Sequence, residues 1–175
     1  IFRALGNIGD VLIKMGDLDE AAKMFQRQLQ IARQLRERNL EASACGSLGL
    51  VNRLMKKFDK ALGFHTQELT LRQEMADILG ECRCHQSLGA VHMAIGNFIH
   101  ALKCYQEQLE RSQELKDMSQ ISNAFGNLGI ARLNMGHYEE AIGFLEQQLG
   151  TLEQVNTPQV QHDKARSLGH LGDCY

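Results

Sequence analysis

The chain has 175 residues, a formal net charge of −2 and a sequence pI near 6.4. This balance provides no overall attraction to phosphate backbones, so we expect no nucleic-acid partner. No apolar run reaches the roughly 18 residues that span a bilayer, and the five cysteines form no paired framework typical of secreted proteins. We therefore expect a cytoplasmic chain that does not cross a membrane.

A forty-residue period runs through the sequence. Three columns show it most clearly: Gly9, Gly49, Gly89 and Gly129; Ala21, Ala61, Ala101 and Ala141; and Leu29, Leu69, Leu109 and Leu149. A period of this length is typical of solenoids, in which stacked units bury together the apolar faces that none could bury alone. With one proline, no tryptophan and abundant helix-forming residues, the composition predicts an all-α fold.

The first repeat is predicted to be two helices joined by a short turn. Its two apolar stripes are Ala4, Ile8, Val11, Leu12 and Met15, then Ala21, Ala22, Phe25, Leu29, Ala32 and Leu35. Their spacing of three and four residues indicates helices. Gly16 is expected to end the first helix and Asp17 to cap the second. We expect a second helix of about 17 residues, longer than the first.

The later repeats vary these signals. Gly96 and Gly136 repeat the role of Gly16, whereas Lys56 takes that place at a cost of roughly 1 kcal/mol. Asn97 is a second capping residue. The glycine column that starts at Gly9 lies inside helices, where glycine is unfavourable, and this predicts the close approach of a neighbouring helix.

Forty-residue spacing divides the chain into repeats at about 2–41, 42–81, 82–121 and 122–164, followed by the first helix of a fifth repeat, 165–175. The fifth repeat is offset by forty-three residues, which places a three-residue insertion near Asn156–Pro158. We expect a fragment of a longer protein, whose last helix exposes one apolar side.

The repeated motif resembles the tetratricopeptide repeat. The residues that carry this resemblance are Ile8-Gly9, Ala21 and Phe25, and again Leu88-Gly89, Ala101 and Tyr105. The forty-residue length resembles the Leu-Gly-Asn repeat proteins that orient spindles. The resemblance implies a right-handed α-solenoid of stacked antiparallel helix pairs, whose first helices line a concave groove that holds peptides.

Two runs, residues 48–69 and 101–110, are similar to a large member of this family. That similarity implies a cytosolic scaffold of the cytoskeleton, associated with the spindle or midbody in cell division. One column departs from the Leu-Gly-Asn pattern, which has asparagine there: it contains Asp10, Leu50, Ala90, Ile130 and Asp173. We therefore expect no ladder of asparagines gripping a peptide backbone.

The face of the first helices opposite the apolar stripe is the predicted partner-binding groove. Its residues are Arg3, Asn7, Asp10, Lys14, Ser47, Leu50, Leu54, Arg83, Ser87, Ala90, Asn123, Asn127, Ile130, Asn134, Arg166 and His170. An apolar middle with polar ends suits an amphipathic or extended peptide. Alternatively, the apolar members pack against neighbouring first helices.

Cys82, Cys84 and His85 lie close enough in sequence to suggest a metal site. In the other repeats their columns hold mostly apolar or small residues, as expected for buried free cysteine. No second ligand pair accompanies them, so we expect no metal and no cofactor.

The remaining reactive residues also align with apolar columns. Cys104 and Cys174 are expected in the core, His65 is expected to be a packed histidine, and His170 is the histidine expected to touch a ligand. No nucleophile, phosphate-binding loop or acid–base pair is recognisable, so an enzyme is not expected. The sequence predicts a non-enzymatic scaffold that binds a protein or peptide partner. The alternative is a structural module that self-associates, including through its incomplete fifth repeat.

Overall fold

The computed structural model describes residues 1–153 and 159–174, with side chains described for 1–153 and 164–174. Within these residues the chain is all-helical and contains no strand, as the sequence predicts. The helices are α1 (Phe2–Met15), α2 (Leu18–Leu35), α3 (Arg38–Leu54), α4 (Phe58–Glu74), α5 (Ile78–Ile95), α6 (Phe98–Leu115), α7 (Met118–Asn134), α8 (Tyr138–Glu153) and α9 (Gln159–Cys174). The predicted insertion near Asn156–Pro158 lies outside the described residues, as does Tyr175.

The first helix of each pair ends where the sequence predicts. Gly16, Gly96 and Gly136 adopt φ values of 84°, 85° and 76°, and Lys56 adopts 59° in the corresponding place. This left-handed conformation lets the backbone N–H of Gly16 reach the carbonyl of Ile13, which satisfies the end of the helix.

The second helices end in the same conformation without glycine, which the sequence analysis did not predict. Arg36, Ala76 and Lys116 have φ values of 55°, 53° and 55°. Each of these residues is separated by one residue from the helix that follows, so the connection between hairpins is very short.

Side-chain hydrogen bonds at helix starts confirm both predicted caps and reveal caps that were not predicted. The Asp17 carboxylate accepts a hydrogen bond from the backbone N–H of Glu20 at 3.3 Å. Asn97 Oδ1 likewise accepts a hydrogen bond from the backbone N–H of His100 at 3.4 Å. Asp117, which the sequence analysis passed over, caps α7 through the N–H of Ser119 at 3.0 Å. These contacts satisfy backbone donors that the helix itself leaves unpaired.

The second helix of the first pair is longer than the first, as expected, but the later pairs do not follow this pattern. Helices α1 and α2 have 14 and 18 residues, but α3 and α4 both have 17, and α7 with 17 exceeds α8 with 16. The later first helices begin at Arg38, Ile78 and Met118, ahead of the apolar stripe from which they were predicted. The period determines the length of the unit, but it does not determine its phase.

The chain forms two compact units, Ile1–Gly80 and Glu81–Tyr175, here called unit 1 and unit 2. In unit 1 the core cluster contains Phe25, Leu29 and Leu48 with Ala21 and Val51. In unit 2 the corresponding cluster contains Ala101, Tyr105, Leu109, Leu128 and Ala131. The two cores therefore use the same columns of the repeat.

The periodic glycines are sites of close helix packing, as predicted. A Cβ atom built on Gly9 would lie 2.4 Å from the Phe25 ring, and one on Gly89 would lie 2.3 Å from the Tyr105 ring. At Gly49 the nearest atom belongs to His65, at 2.5 Å. In every case the neighbour comes from the second helix of the same hairpin. Packing against glycine therefore sets the distance between the two helices of a pair.

The apolar stripe predicted for α1 is wrong in its burial. Leu5 and Gly9 are the buried residues of α1, whereas Ile8, Val11 and Met15 are exposed. The corresponding stripe of α3 is buried because α3 packs against both α2 and α4. Among the described helices, α1 packs mainly against α2. In the described part of the chain, no helix is both long and apolar enough to cross a membrane.

Candidate peptide-binding face

In unit 1 the predicted groove residues lie outside the core. Those on α1, which are Arg3, Asn7, Asp10 and Lys14, are all exposed. On α3, Ser47 is half-buried, and Leu50 and Leu54 remain 38% and 39% exposed. Because Leu50 and Leu54 are four residues apart, they lie on the same side of α3. This exposed pair is the apolar part of the face in unit 1.

In unit 2 five of the predicted residues line one cavity of about 330 Å³. These five are Asn123, Asn127, Ile130, Arg166 and His170. Their neighbours in the wall are Gln86, Ser119, Gly126 and Gln148. The cavity lies where α5, α7 and α9 meet above α8, so first helices supply most of its wall.

The other predicted residues of unit 2 do not line this cavity. Arg83 and Asn134 are exposed, and Ser87 and Ala90 are half-buried. Asn134 Nδ2 donates a hydrogen bond to the carbonyl of Ile130 in its own helix at 2.8 Å. Its amide therefore turns back on α7, because short polar side chains compete well for nearby backbone carbonyls.

The cavity wall is held by hydrogen bonds to buried glutamines. Asn127 Nδ2 donates to Oε1 of the fully buried Gln108 at 3.0 Å. Ser167 Oγ donates to Oε1 of Gln148. Asn127 thus supports the structure through its amide nitrogen. His170 Nδ1 lies 3.7 Å from the Asp173 carboxylate.

Sequence analysis missed this glutamine column, although its signal was present. Gln28, Glu68, Gln108 and Gln148 lie forty residues apart. The first, third and fourth are buried side chains, an unusual location for glutamine. A Cβ atom on Gly126 would lie 2.5 Å from Gln148 Nε2, so glycine also makes room for the amide. Polar residues recurring with the glycine period were the available clue.

His65 is the packed histidine that the sequence predicts. It is 3% exposed, its ring lies against Gly49, and its Nδ1 is 3.2 Å from a Glu68 carboxylate oxygen. Buried polar groups require such partners. His65 is therefore part of the framework of unit 1.

Cys82 and Cys84 are fully buried, as their columns predict, and so is Cys45. Burial raises the pKa of the Cys45 thiol to about 11, with a further contribution from the Glu41 charge. Burial likewise raises the pKa of Cys82 to about 11, assisted by Glu81. Thiols that stay protonated are poor nucleophiles and poor metal ligands. Among the described residues no three potential metal ligands converge.

The prediction that Cys104 and Cys174 lie in the core is wrong, because both are half-buried. The column of Cys104 also holds Met24, Phe64 and Phe144, which are half-buried as well. That column follows the margin of each core. Cys174 lies on α9, where Leu168 is exposed, in agreement with the predicted uncovered apolar side.

A family model described as tetratricopeptide repeat matches residues 1–74 and 81–154 of the chain. The chain therefore belongs to the tetratricopeptide repeat family. Comparison with curated protein sequences finds no significant match.

Solved structures share the fold at low sequence identity. BtubC from P. vanneervenii has a TM-score of 0.87 and 21% identity over 98% of this chain and 70% of its own. The apo form of RapI has a TM-score of 0.85 and 16% identity over 99% of this chain and 62% of its own. A Rap protein complexed with competence and sporulation factor has a TM-score of 0.80 and 16% identity, over 99% and 48%. These likenesses confirm the α-solenoid fold.

Proposed function

We propose that the chain is a non-enzymatic scaffold that binds an extended or helical segment of a partner protein on its first-helix faces. The observation that carries this proposal is the cavity of unit 2, where predicted groove residues of α7 and α9 meet around one space. Pre-organised side chains lower the ordering cost of capturing a flexible segment.

The chemistry of the two units suggests complementary contributions to binding. In unit 2 the cavity offers side-chain amides, the Arg166 guanidinium and the His170 imidazole around the apolar Ile130. Amides suit a peptide backbone, and a guanidinium suits a carboxylate. In unit 1 the exposed Leu50 and Leu54 suit an apolar side chain of the partner.

The solved Rap complex with competence and sporulation factor supports this proposal by analogy of fold. It contains a bound factor on a protein that matches 99% of this chain with 48% of its own length. At 16% identity the likeness does not extend to individual contacts, so the residues of the face rest on this chain alone.

The test is selection of peptides from a random display library on the immobilised chain, followed by binding to variants. In Leu50→Asp and Ile130→Asp, singly and together, a carboxylate replaces an apolar contact. We expect the double variant to lose most selected peptides while its helicity and melting temperature stay close to those of the parent.

The matched control is the double variant Leu35→Asp with Ile99→Asp. These residues are an exposed leucine and an exposed isoleucine on second helices, one in each unit. We expect this control to retain the selected peptides. Equal loss of binding in both double variants, or marked unfolding of the first, would contradict the proposal.

Self-association is the second candidate function, and a specific observation favours it. Exposed apolar side chains form a patch on α1, through Ile8, Val11 and Met15, and Leu168 is exposed on α9. Contiguous apolar surface of this kind marks interfaces. Molar mass measured by light scattering over a range of concentrations decides between the candidates, since a persistent monomer excludes this one.

For the cellular role, we propose that the protein acts in the cytoplasm as a scaffold of the cytoskeleton during cell division. The support is the similarity of residues 48–69 and 101–110 to tetratricopeptide repeat protein 28, a large scaffold associated with the spindle and midbody. Imaging of the tagged protein in dividing cells tests this proposal. A distribution that ignores spindle and midbody throughout division would overturn it.

A further inference from the structure

A second groove lies in unit 1 on a different face from Leu50 and Leu54. It has a volume of about 510 Å³ and runs between α2 and α4, with α3 as its floor. Helix α3 contributes Leu48 and Asn52 to it, and Met55 follows directly after the end of this helix. At 3.6 residues per turn, these positions are rotated by about 150° around α3 from Leu50 and Leu54. The groove is therefore separate from the proposed first-helix face.

The groove exists because the backbones of α2 and α4 stay apart while both pack on α3. Gly63 of α4 lines it, and a Cβ atom added there would meet nothing within 4 Å. Gly63 therefore differs from Gly49, whose Cβ would strike His65. Glycine inside a helix costs roughly 1 kcal/mol relative to alanine. No packing contact with a described residue explains this cost at Gly63, whereas close approach of a ligand would.

The groove is lined by both apolar and amide side chains, and its rim is charged. Leu48, Met55 and Phe64 form its apolar wall together with Ala22. At the rim Lys60 forms no ion pair with any described residue, and Lys57 Nζ lies 4.0 Å from the Asp19 carboxylate, at the limit of an ion pair. The rim thus offers an ammonium group to a ligand.

Unit 2 provides an internal comparison for this groove. Eighty residues on, the aligned residues are Leu102 for Ala22, Ile99 for Asp19, His137 for Lys57 and Glu140 for Lys60. Leu102 brings a larger side chain to the wall, and it packs against the core cluster of unit 2. Glu140 reverses the charge and pairs with Arg132 at 3.2 Å. The combination of open wall and free lysine is specific to unit 1.

We propose that this groove binds a linear segment of a partner protein in which a large apolar side chain is followed closely by aspartate or glutamate. The apolar side chain would enter between Ala22 and Phe64, over Gly63. The carboxylates would face Lys60 and Lys57. A volume of this size is within the range of peptide and small-molecule sites. Desolvated apolar burial would supply affinity, and the lysines would set the direction of the segment.

The experiment uses fluorescein-labelled twelve-residue peptides that contain one phenylalanine followed by three glutamates. Comparison peptides replace the phenylalanine with alanine or the glutamates with lysine. Binding to the 175-residue chain is measured by fluorescence anisotropy. We expect saturable binding of the first peptide and a loss on the order of tenfold or more with either replacement.

The variants carry over the residues of unit 2. Ala22→Leu fills the wall and Lys60→Glu reverses the charge, and each should weaken binding of the acidic peptide on the order of tenfold. Gly63→Ala should weaken binding while raising the melting temperature, which separates ligand approach from structural need. Gly143→Ala is the matched control: it has the same open surroundings in unit 2, so it should raise stability and leave binding unchanged.

The double variant Leu50→Asp with Ile130→Asp separates this site from the proposed first-helix face, since it should leave binding of the acidic peptide intact. Loss of binding in that variant but not in Ala22→Leu would overturn the proposal. So would an absence of saturable binding, or a preference for the lysine peptide. If Ala22→Leu disturbs folding, Lys60→Glu and Gly63→Ala decide the outcome.

Discussion

Units 1 and 2 are two versions of one framework, related by an offset of eighty residues. Gly9 packs on Phe25 in unit 1 as Gly89 packs on Tyr105 in unit 2, and the cores use matching columns. Their surfaces differ: Leu50 is an exposed apolar residue, whereas its counterpart Ile130 lies in a polar cavity. Columns fixed by packing repeat, and columns free of packing vary. We therefore assign the proposed recognition of a partner to the variable columns.

The largest effect is expected from a methyl group in the glycine column. Gly89→Ala places a Cβ atom 2.3 Å from the Tyr105 ring, and the two helices must separate. We expect a loss of up to about 3 kcal/mol in the free energy of unfolding, because overpacking outweighs the gain in helix propensity. Thermal and denaturant unfolding measure it.

The two units should differ in this response at the next glycine. At Gly49 the obstructing atoms belong to the His65 ring, at 2.5 Å, whereas at Gly129 they belong to the flexible Leu145 side chain, at 2.9 Å. Gly49→Ala should therefore cost more than Gly129→Ala. The reverse order would show that ring packing does not set the spacing of these helices.

A smaller effect is expected from the hydrogen bond between Asn127 and Gln108. Asn127→Ala leaves Gln108 Oε1 buried without a donor, so unit 2 should lose roughly 1–2 kcal/mol. Ser47 occupies the aligned position in unit 1. Its side chain forms no hydrogen bond with a described residue, so Ser47→Ala should be nearly neutral. Adding Gln108→Leu to Asn127→Ala should recover most of the loss, and a failure to recover would show that the amide pair contributes little.

The smallest effect is acid sensitivity of unit 2. The pKa of His85 is lowered, mainly by burial. The charge of Glu107 opposes this shift, and the charge of Arg111 adds to it. Burial, then the charge of His100, lowers the pKa of His92. Since both values lie below the ordinary value of 6.5, the unfolded chain binds protons more readily than the folded one. The stabilising contribution of the two neutral histidines is therefore complete when the pH is above their ordinary pKa. It is lost as the pH falls from there towards their lowered pKa values.

The variants for this test use the residues at the aligned positions of neighbouring repeats. His85→Phe introduces the residue type of Phe125, and His92→Asn introduces that of Asn52. We expect the melting temperature of the double variant to fall less than that of the parent between about pH 7.5 and about pH 5.5. An identical fall in both proteins would show that neither histidine contributes.

Much of the fold could be predicted because its signals are local or periodic. Gly16 and Asp17 mark a turn by their own backbone and capping chemistry, and the glycine column marks helix contact by its recurrence. The exposure of Ile8 could not be predicted, because it depends on which helices pack beside α1.

The sequence could predict which side of a helix carries the candidate site, but it could not predict the contacts that its residues form. Helical periodicity placed Asn123, Asn127 and Ile130 on one side of α7, and the cavity contains all three. The hydrogen bonds of these helix faces could not be predicted. Asn127 donates to a residue of α6, and Asn134 donates to a backbone carbonyl of its own helix. Sequence spacing predicts on which side of a helix a side chain lies, but it does not predict which acceptor that side chain will bind.

The most direct test of the proposed function is photo-crosslinking of library-selected peptides that carry a photoreactive aromatic residue, with the adducts located by mass spectrometry. We expect adducts on the first helices, within the segments of α3, α7 and α9 that contain Leu50, Ile130 and Arg166. Adducts confined to the second helices for every selected peptide would contradict a binding role for the first-helix faces.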